Sequence, residues 1–212
     1  MPQKILNETS FCNMALSAAG AENLISDVNT NEDSEEWRMC NLFMWQSIFE
    51  MMMAANWRFA TDRIELAAST EDPAFGPYDY KAQLPSDLLA IQYEVHETDD
   101  TIHYKYKREG DYILTNNNPC YVLYTKKVEN LAKFPPVFTK AGYTNLAILM
   151  RNRLKGADEW FLRLNNELNN ILADAIGAEA IQNYVEEGNE DVVNASGAFV
   201  ESKIINGRPY PC

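Results

Sequence analysis

Residues 37–57, WRMCNLFMWQSIFEMMMAANW, carry only Arg38 and Glu50 as charges, in a chain whose formal net charge is −13. Trp37, Cys40, Met44, Ile48, Met51 and Ala55 recur at three- and four-residue steps, the stripe of an amphipathic helix. A second stripe, Leu42, Trp45, Phe49, Met52 and Met53, lies on another side of the same helix. Two apolar faces predict a helix buried all round, or one serving a core and a neighbouring subunit together. Arg38, Asn41, Gln46, Glu50 and Asn56 interrupt the run well before the ~20 apolar residues a membrane span needs.

The rest of the chain frames this helix. A first helix is expected over residues 10–19, opened by Thr9 or Ser10 and closed by Gly20. A polar connector follows over 21–33, with room for one helical turn at Glu22–Ser26. The apolar helix then starts near Asp33 or Ser34, with Glu35 and Glu36 favouring that end, and runs to about Trp57. From Arg58 the period changes: Ala60, Asp62, Ile64 and Leu66 alternate, and a Pro/Gly/Tyr-rich loop covers 72–83. Asp99-Asp100 can turn a hairpin pairing Val95 with Tyr104, Glu94 with Lys105 and Tyr93 with Tyr106, a register that matches charges and aromatics. A turn at Glu109-Gly110 places Tyr106 opposite Ile113, Asn116 to Pro119 end that strand, and 121–125 form another. The reading is an antiparallel meander with Tyr93, Val95, Tyr104, Tyr106, Ile113 and Val122 on one face. Pro135-Pro136 opens a helix with Phe138, Ala141, Leu146, Leu149, Met150 and Leu154 as its apolar side, ended by Gly156. A last helix begins near Asp158, with Phe161, Leu164, Leu168, Ile171, Leu172 and Ala175 as its stripe, and breaks at Gly177 or runs on to Tyr184. Residues 186–212 have no helical period.

Helices, then strands, then helices predict an α+β fold. We expect a mainly helical bundle from 1–57 and 135–185, a β-rich insertion over 58–134, and an extended C-terminal tail over 186–212.

The chemistry of an enzyme is hard to find. His96 and His103 are the only histidines, and the hairpin register makes them cross-strand neighbours; with Glu97 they offer a candidate metal site, against the plainer reading of an exposed hairpin tip. Cys12, Cys40, Cys120 and Cys212 lack metal-ligand spacing, and Cys12 and Cys40 read as small apolar core residues. No hydrolase, metalloprotease or nucleotide-binding motif occurs, and a carboxylate dyad using Glu50 has no support from spacing. No catalytic, cofactor-binding or metal residue is therefore assigned, and no cofactor is expected. MPQKILNETSF has no continuous apolar stretch, so a signal peptide is not expected and the reducing cytoplasm is the expected site of synthesis. The acidic balance argues against a static grip on nucleic acid or an anionic membrane, because phosphate contacts need clustered cations. Charge is uneven: Lys126 to Lys155 holds seven Lys/Arg against one Glu, whereas 157–201 holds ten Asp/Glu against one Arg. That asymmetry suits head-to-tail contact between copies, and the basic group Lys126, Lys127, Arg151, Arg153 and Lys155 reads most simply as a solvated helix end.

Four segments, in order, carry a resemblance: TSFCNMALSAAGA at 9–21, NWRFA at 56–60, YDYKAQLPSDLL at 78–89, and Tyr121 through FPPVF at 134–138 to Lys155-Gly156. Together they cover about residues 9–175, and in that order the chain resembles the tail tubular protein A, or head-to-tail adaptor, family of short-tailed bacteriophages. The resemblance implies a structural virion protein, assembled in the host cytoplasm, forming a typically dodecameric ring beneath the portal. Its implied partners are further copies of itself, the portal protein and the tail nozzle or next tail ring, with DNA passing the channel unbound. On that view Leu42, Trp45, Phe49, Met52 and Met53 meet the adjacent subunit. The family's C-terminal segment extends onto the portal, which makes Phe199, Ile204, Ile205, Arg208 and Tyr210 the portal-contact candidates. Two alternatives stand beside this: an adaptor that also hydrolyses peptidoglycan, and an unrelated protein- or carbohydrate-binding module using the tyrosine-rich strands.

Overall fold

A computed structural model describes residues 7–30, 34–69, 73–97, 103–154, 156 and 158–186. It has an α+β architecture, with four helices and seven antiparallel strands among these residues. Contacts gather the chain into one unit ending at Ile176 and another beginning at Gly177, of which the described part is the end of the last helix.

Helix α1 (Glu8–Ala19) starts two or three residues earlier than Thr9 or Ser10 suggested, because Asn7 caps it. The Asn7 side chain accepts from the Ser10 amide (2.8 Å) and the Ser10 hydroxyl accepts from the Asn7 amide (3.0 Å). Gly20 ends it in the left-handed conformation (φ 71°), where a side chain would strain the backbone. The connector forms no helical turn at 22–26. Instead Asn13 clasps it, donating to the Ile25 carbonyl (2.9 Å) and accepting from the Ile25 amide (3.0 Å), while Ile25 and Val28 go into the core.

Helix α2 (Glu35–Ala54) begins at Ser34, whose hydroxyl accepts from the Trp37 amide. It stops three residues before Trp57, because the Trp57 indole folds back to donate to the Met51 carbonyl (2.6 Å), one of the groups a helix end leaves unpaired. Helix α3 (Pro136–Leu154) lies between α1 and α2. It is α3, rather than α2, that is buried nearly all round: Phe138, Ala141, Thr144, Asn145, Leu146, Ala147, Ile148, Met150 and Arg151 are all buried, and Leu149 partly so. Gly142 makes the crossing possible. The Phe11 ring of α1 lies 3.0 Å from where a Cβ would stand, and Ser47 of α2 donates to the Gly142 carbonyl (2.9 Å). Helix α4 (Glu159–Glu186) continues past Gly177 and adds Leu164, Leu168, Ile171 and Ala175 to the same core.

Among the described residues the strands fall between Thr61 and Lys126. They form two sheets rather than a meander. The first has the order β1 (Thr61–Leu66), β7 (Cys120–Lys126), β3 (Leu88–Val95), β4 (His103–Tyr104). The second has the order β2 (Tyr80–Gln83), β6 (Tyr112–Thr115), β5 (Lys107–Glu109). β2 lies where a loop was expected; Ala82 pairs with Ile113, and both are buried. Leu66, Ala82, Leu84, Ile113, Cys120, Val122 and Tyr124 make one core shared by both sheets.

Two registers differ from expectation. β3 and β4 pair Glu94 with Tyr104 and Val95 with His103, a slip of one residue that reverses which face each side chain takes. Burial overrides the charge match: Glu94 is fully buried and accepts from the Thr115 hydroxyl and the Asn117 side-chain amide (2.7 Å), rather than facing Lys105. β5 and β6 turn on Gly110-Asp111, pairing Arg108 with Ile113, because Gly110 (φ 59°) takes the left-handed first position of the turn. The tyrosines accordingly do not share one face. Tyr93 stacks on His103 (4.1 Å), Tyr106 packs against the sheet core and Tyr124 is buried within it.

The helical and β parts are joined by an aromatic cluster. Phe138 of α3 meets Trp57 at 5.1 Å, Phe59 at 4.7 Å and Phe134 at 4.8 Å between ring centroids. Trp57 and Phe59 lie where the chain leaves the helices, Phe134 and Phe138 where it returns. NWRFA and FPPVF, distant in sequence, thus meet around a single ring.

Candidate subunit interface

The two stripes of α2 have separate fates. Cys40, Met44, Ile48 and Met51 face inward and are buried, and Trp37 is half-buried with its indole donating to the Val28 carbonyl (3.0 Å). On the outer side Leu42 is 61% and Met53 50% exposed. Trp45 and Phe49 are half-buried and stacked on one another at 5.6 Å, with their inner edges against the core. Met52 does not belong to this outer surface. It is fully buried and belongs to the helical core.

The strip is therefore Leu42, Trp45, Phe49 and Met53, one side of α2 over about three turns. Cations border it. The Lys127 ammonium sits 5.0 Å from the Phe49 ring centre and the Arg153 guanidinium 5.7 Å from that of Phe43. Gln46 stands within the strip and donates to Glu50 Oε1 (2.8 Å), while Asn145 donates to Glu50 Oε2 (2.9 Å). One oxygen of Glu50 thus braces α2 along its own length, and the other links α2 to α3.

The basic group is no simple solvated helix end. Arg151 is buried and binds both the α1 carbonyl of Ala19 and the Asp158 carboxylate. Lys126 pairs with Asp62 (3.0 Å) and Lys127 with Glu129 (2.7 Å). His96 and His103 are not cross-strand partners, since His103 stands opposite Val95. Among the described residues no group of three or more His, Cys, Asp or Glu side chains is arranged to hold a metal. Cys12, Cys40 and Cys120 are buried free thiols. The contact with the Cys40 thiol, then burial, pushes the Cys12 thiol up; burial, then the nearby Glu94, pushes that of Cys120 up to about 12. Neither is poised as a nucleophile.

Phe199, Ile204, Ile205, Arg208 and Tyr210 lie outside the described residues. Among the described residues no helix is long and apolar enough to cross a membrane. What sequence reasoning missed was the outer side of α4, where Leu162 is 63% and Ile176 53% exposed. Their spacing was available, but the stronger inward stripe of that helix masked it.

No protein-family model matches the chain, and no curated protein matches it.

Proposed function

We propose that this protein is a non-enzymatic head-to-tail adaptor of a short-tailed bacteriophage: a ring of identical copies that docks beneath the portal, bears the nozzle or next tail ring below, and surrounds the channel through which DNA leaves. The observation that carries this reading is the outer strip of α2. A helix whose inner side already fills the bundle holds Leu42 and Met53 out to solvent beside a stacked aromatic pair, and contiguous apolar surface of that kind marks a protein contact. Two of the segments behind the family resemblance also join the helices to the β part, through Trp57, Phe59, Phe134 and Phe138. A formal charge of −13 suits a wall past which DNA slides without adhering.

Electron microscopy of the purified protein mixed with portal tests the reading. The expected image is a portal carrying an added collar with an open centre. A portal that stays bare, with the protein monomeric beside it, refutes it.

A further inference from the structure

We infer that the helical core holds a soft monovalent metal ion, copper(I) or its heavier relative silver(I), at four sulfur atoms where α1, α2 and α3 meet. Cys12 of α1, Cys40 and Met44 of α2 and Met150 of α3 supply the sulfurs, and all four side chains are buried. Cys12 Sγ stands 3.6 Å from Met44 Sδ, and Cys40 Sγ 3.9 Å from Met150 Sδ. The two thiols are themselves in contact. The sulfurs thus form an unbroken run, Met44, Cys12, Cys40, Met150, that crosses from helix to helix. Cys40 and Met44 stand one turn apart on the same side of α2, which folds the run back on itself. Around an ion with metal–sulfur bonds of about 2.3 Å, tetrahedrally placed ligands stand ~3.8 Å apart. The observed spacings bracket that edge, so ligation asks only for small side-chain shifts. Thioethers take the places that a third Cys or a His would hold in a zinc site.

Charge and softness select the ion. An unbalanced charge in the core is costly. On binding, one thiol releases its proton to solvent and forms a sulfur–metal bond, and the thiolate's negative charge cancels the single positive charge of the ion. The other thiol and both thioethers bind through lone pairs as neutral donors, and nothing is oxidised or reduced. The ion's own charge drives that deprotonation even where burial and a neighbouring thiol hold the proton on, as at Cys12. Zinc would need both thiols ionised and gains little from thioethers, which suit copper(I). Because the four side chains are buried, the ion is taken up before the helices close, and it then braces α1, α2 and α3 together.

Loading of the full chain during refolding tests this. The protein is refolded from urea under argon with copper(I), and affinity is read by competition with a coloured copper(I) chelator. Native mass spectrometry of the silver(I) form counts ions and protons. One ion per chain is expected, with a mass gain of the ion less one proton. X-ray absorption should show sulfur neighbours alone at ~2.3 Å, and the melting temperature should rise with ion concentration. Met44→Leu and Met150→Leu keep core volume and should still fold, yet each should weaken binding at least ~10-fold. Cys12→Ala combined with Cys40→Ala should remove binding, whereas Cys120→Ala and Cys212→Ala should leave it unchanged. If the double cysteine variant does not fold, the two methionine variants decide. Undiminished binding by both methionine variants, or its loss in a folded Cys120→Ala or Cys212→Ala protein, places the ion elsewhere and overturns the inference. Zinc bound as tightly as copper(I) overturns it too, as does a wild type that leaves copper(I) with the chelator at micromolar protein. None of these results depends on whether copies assemble into a ring.

Discussion

Arg151 ties three helices together from one buried position. It extends from α3 to the last carbonyl of α1 at Ala19, grips Asp158, and lies over the Trp160 ring. Asp158 in turn caps α4 by accepting from the Phe161 amide (2.9 Å). The Arg151 guanidinium holds the Asp158 carboxyl down at about 2, against an ordinary 3.8. The sign follows from the folded value lying below the unfolded one: the contribution is complete above 3.8 and is lost as pH falls toward 2. Wild-type and Asp158→Asn proteins should therefore differ in melting temperature at pH 5 and converge near pH 2, as a calorimetric pH series would report. A gap that persists at pH 2 would mean that the ionised pair with Arg151 is not what Asp158 supplies. Glu94 poses a different residue-scale question. One of its oxygens accepts from Thr115 and Asn117, and the other accepts no bond among the described residues. Glu94→Gln keeps the accepting oxygen and removes an ionisable group from the interior, whereas Glu94→Ala leaves two donors unpaired, at ~1–3 kcal/mol each. Urea unfolding should rank Glu94→Ala well below Glu94→Gln.

Among elements, α2 separates folding from assembly. Met44→Ala or Ile48→Ala empties a buried site and should lower stability by ~2–5 kcal/mol in chemical denaturation, and Met52→Ala joins that group because Met52 is fully buried. Leu42→Asp and Met53→Asp should leave unfolding nearly unchanged and act on association; Trp45 and Phe49, whose inner edges touch the core, should show both effects. Gly142→Ala is the matching test of α3. The added methyl would stand 3.0 Å from the fully buried Phe11 ring, so an overpacking loss of ~1–3 kcal/mol should outweigh the ~1 kcal/mol gain in helix propensity. Helix extents were legible in the sequence because capping and three-to-four periodicity are local; Ser34, Gly20 and Pro136 all act where they stand. Strand partners were not, because pairing is decided across the fold. Lys105 looked like the mate of Glu94 until the burial of that carboxylate against Thr115 took precedence. The α2 strip was legible as a second apolar face, but Met52, which the same spacing places there, is fully buried in the helical core.

For the whole molecule, the decisive arrangement is that two compact cores are linked where the chain passes between them, beside an aromatic cluster that belongs to the helical core. The helical core and the sheet core are distinct clusters, and the chain passes between them twice. Both passages are held by Phe138, which is fully buried and in edge contact with Trp57, Phe59 and Phe134. A joint of this kind has a consequence that a single core would not. Phe138→Ala removes a ring worth ~3–5 kcal/mol where it packs, and the loss falls on the helical core and on the seam at once. The sheets keep their own cluster, including Ile113, Val122 and Tyr124, none of which touches the joint cluster. Unfolding of Phe138→Ala should therefore cease to be two-state: far-UV dichroism, dominated by helix, should fall at lower denaturant than hydrogen exchange of the β3 and β7 amides. Val122→Ala serves as the control, weakening the sheet core directly and bringing the β7 amides to exchange early while the helices hold. If Phe138→Ala instead shifts both signals together by the same amount, the helices and sheets form one cooperative unit, and the joint is part of a common core rather than a link between two.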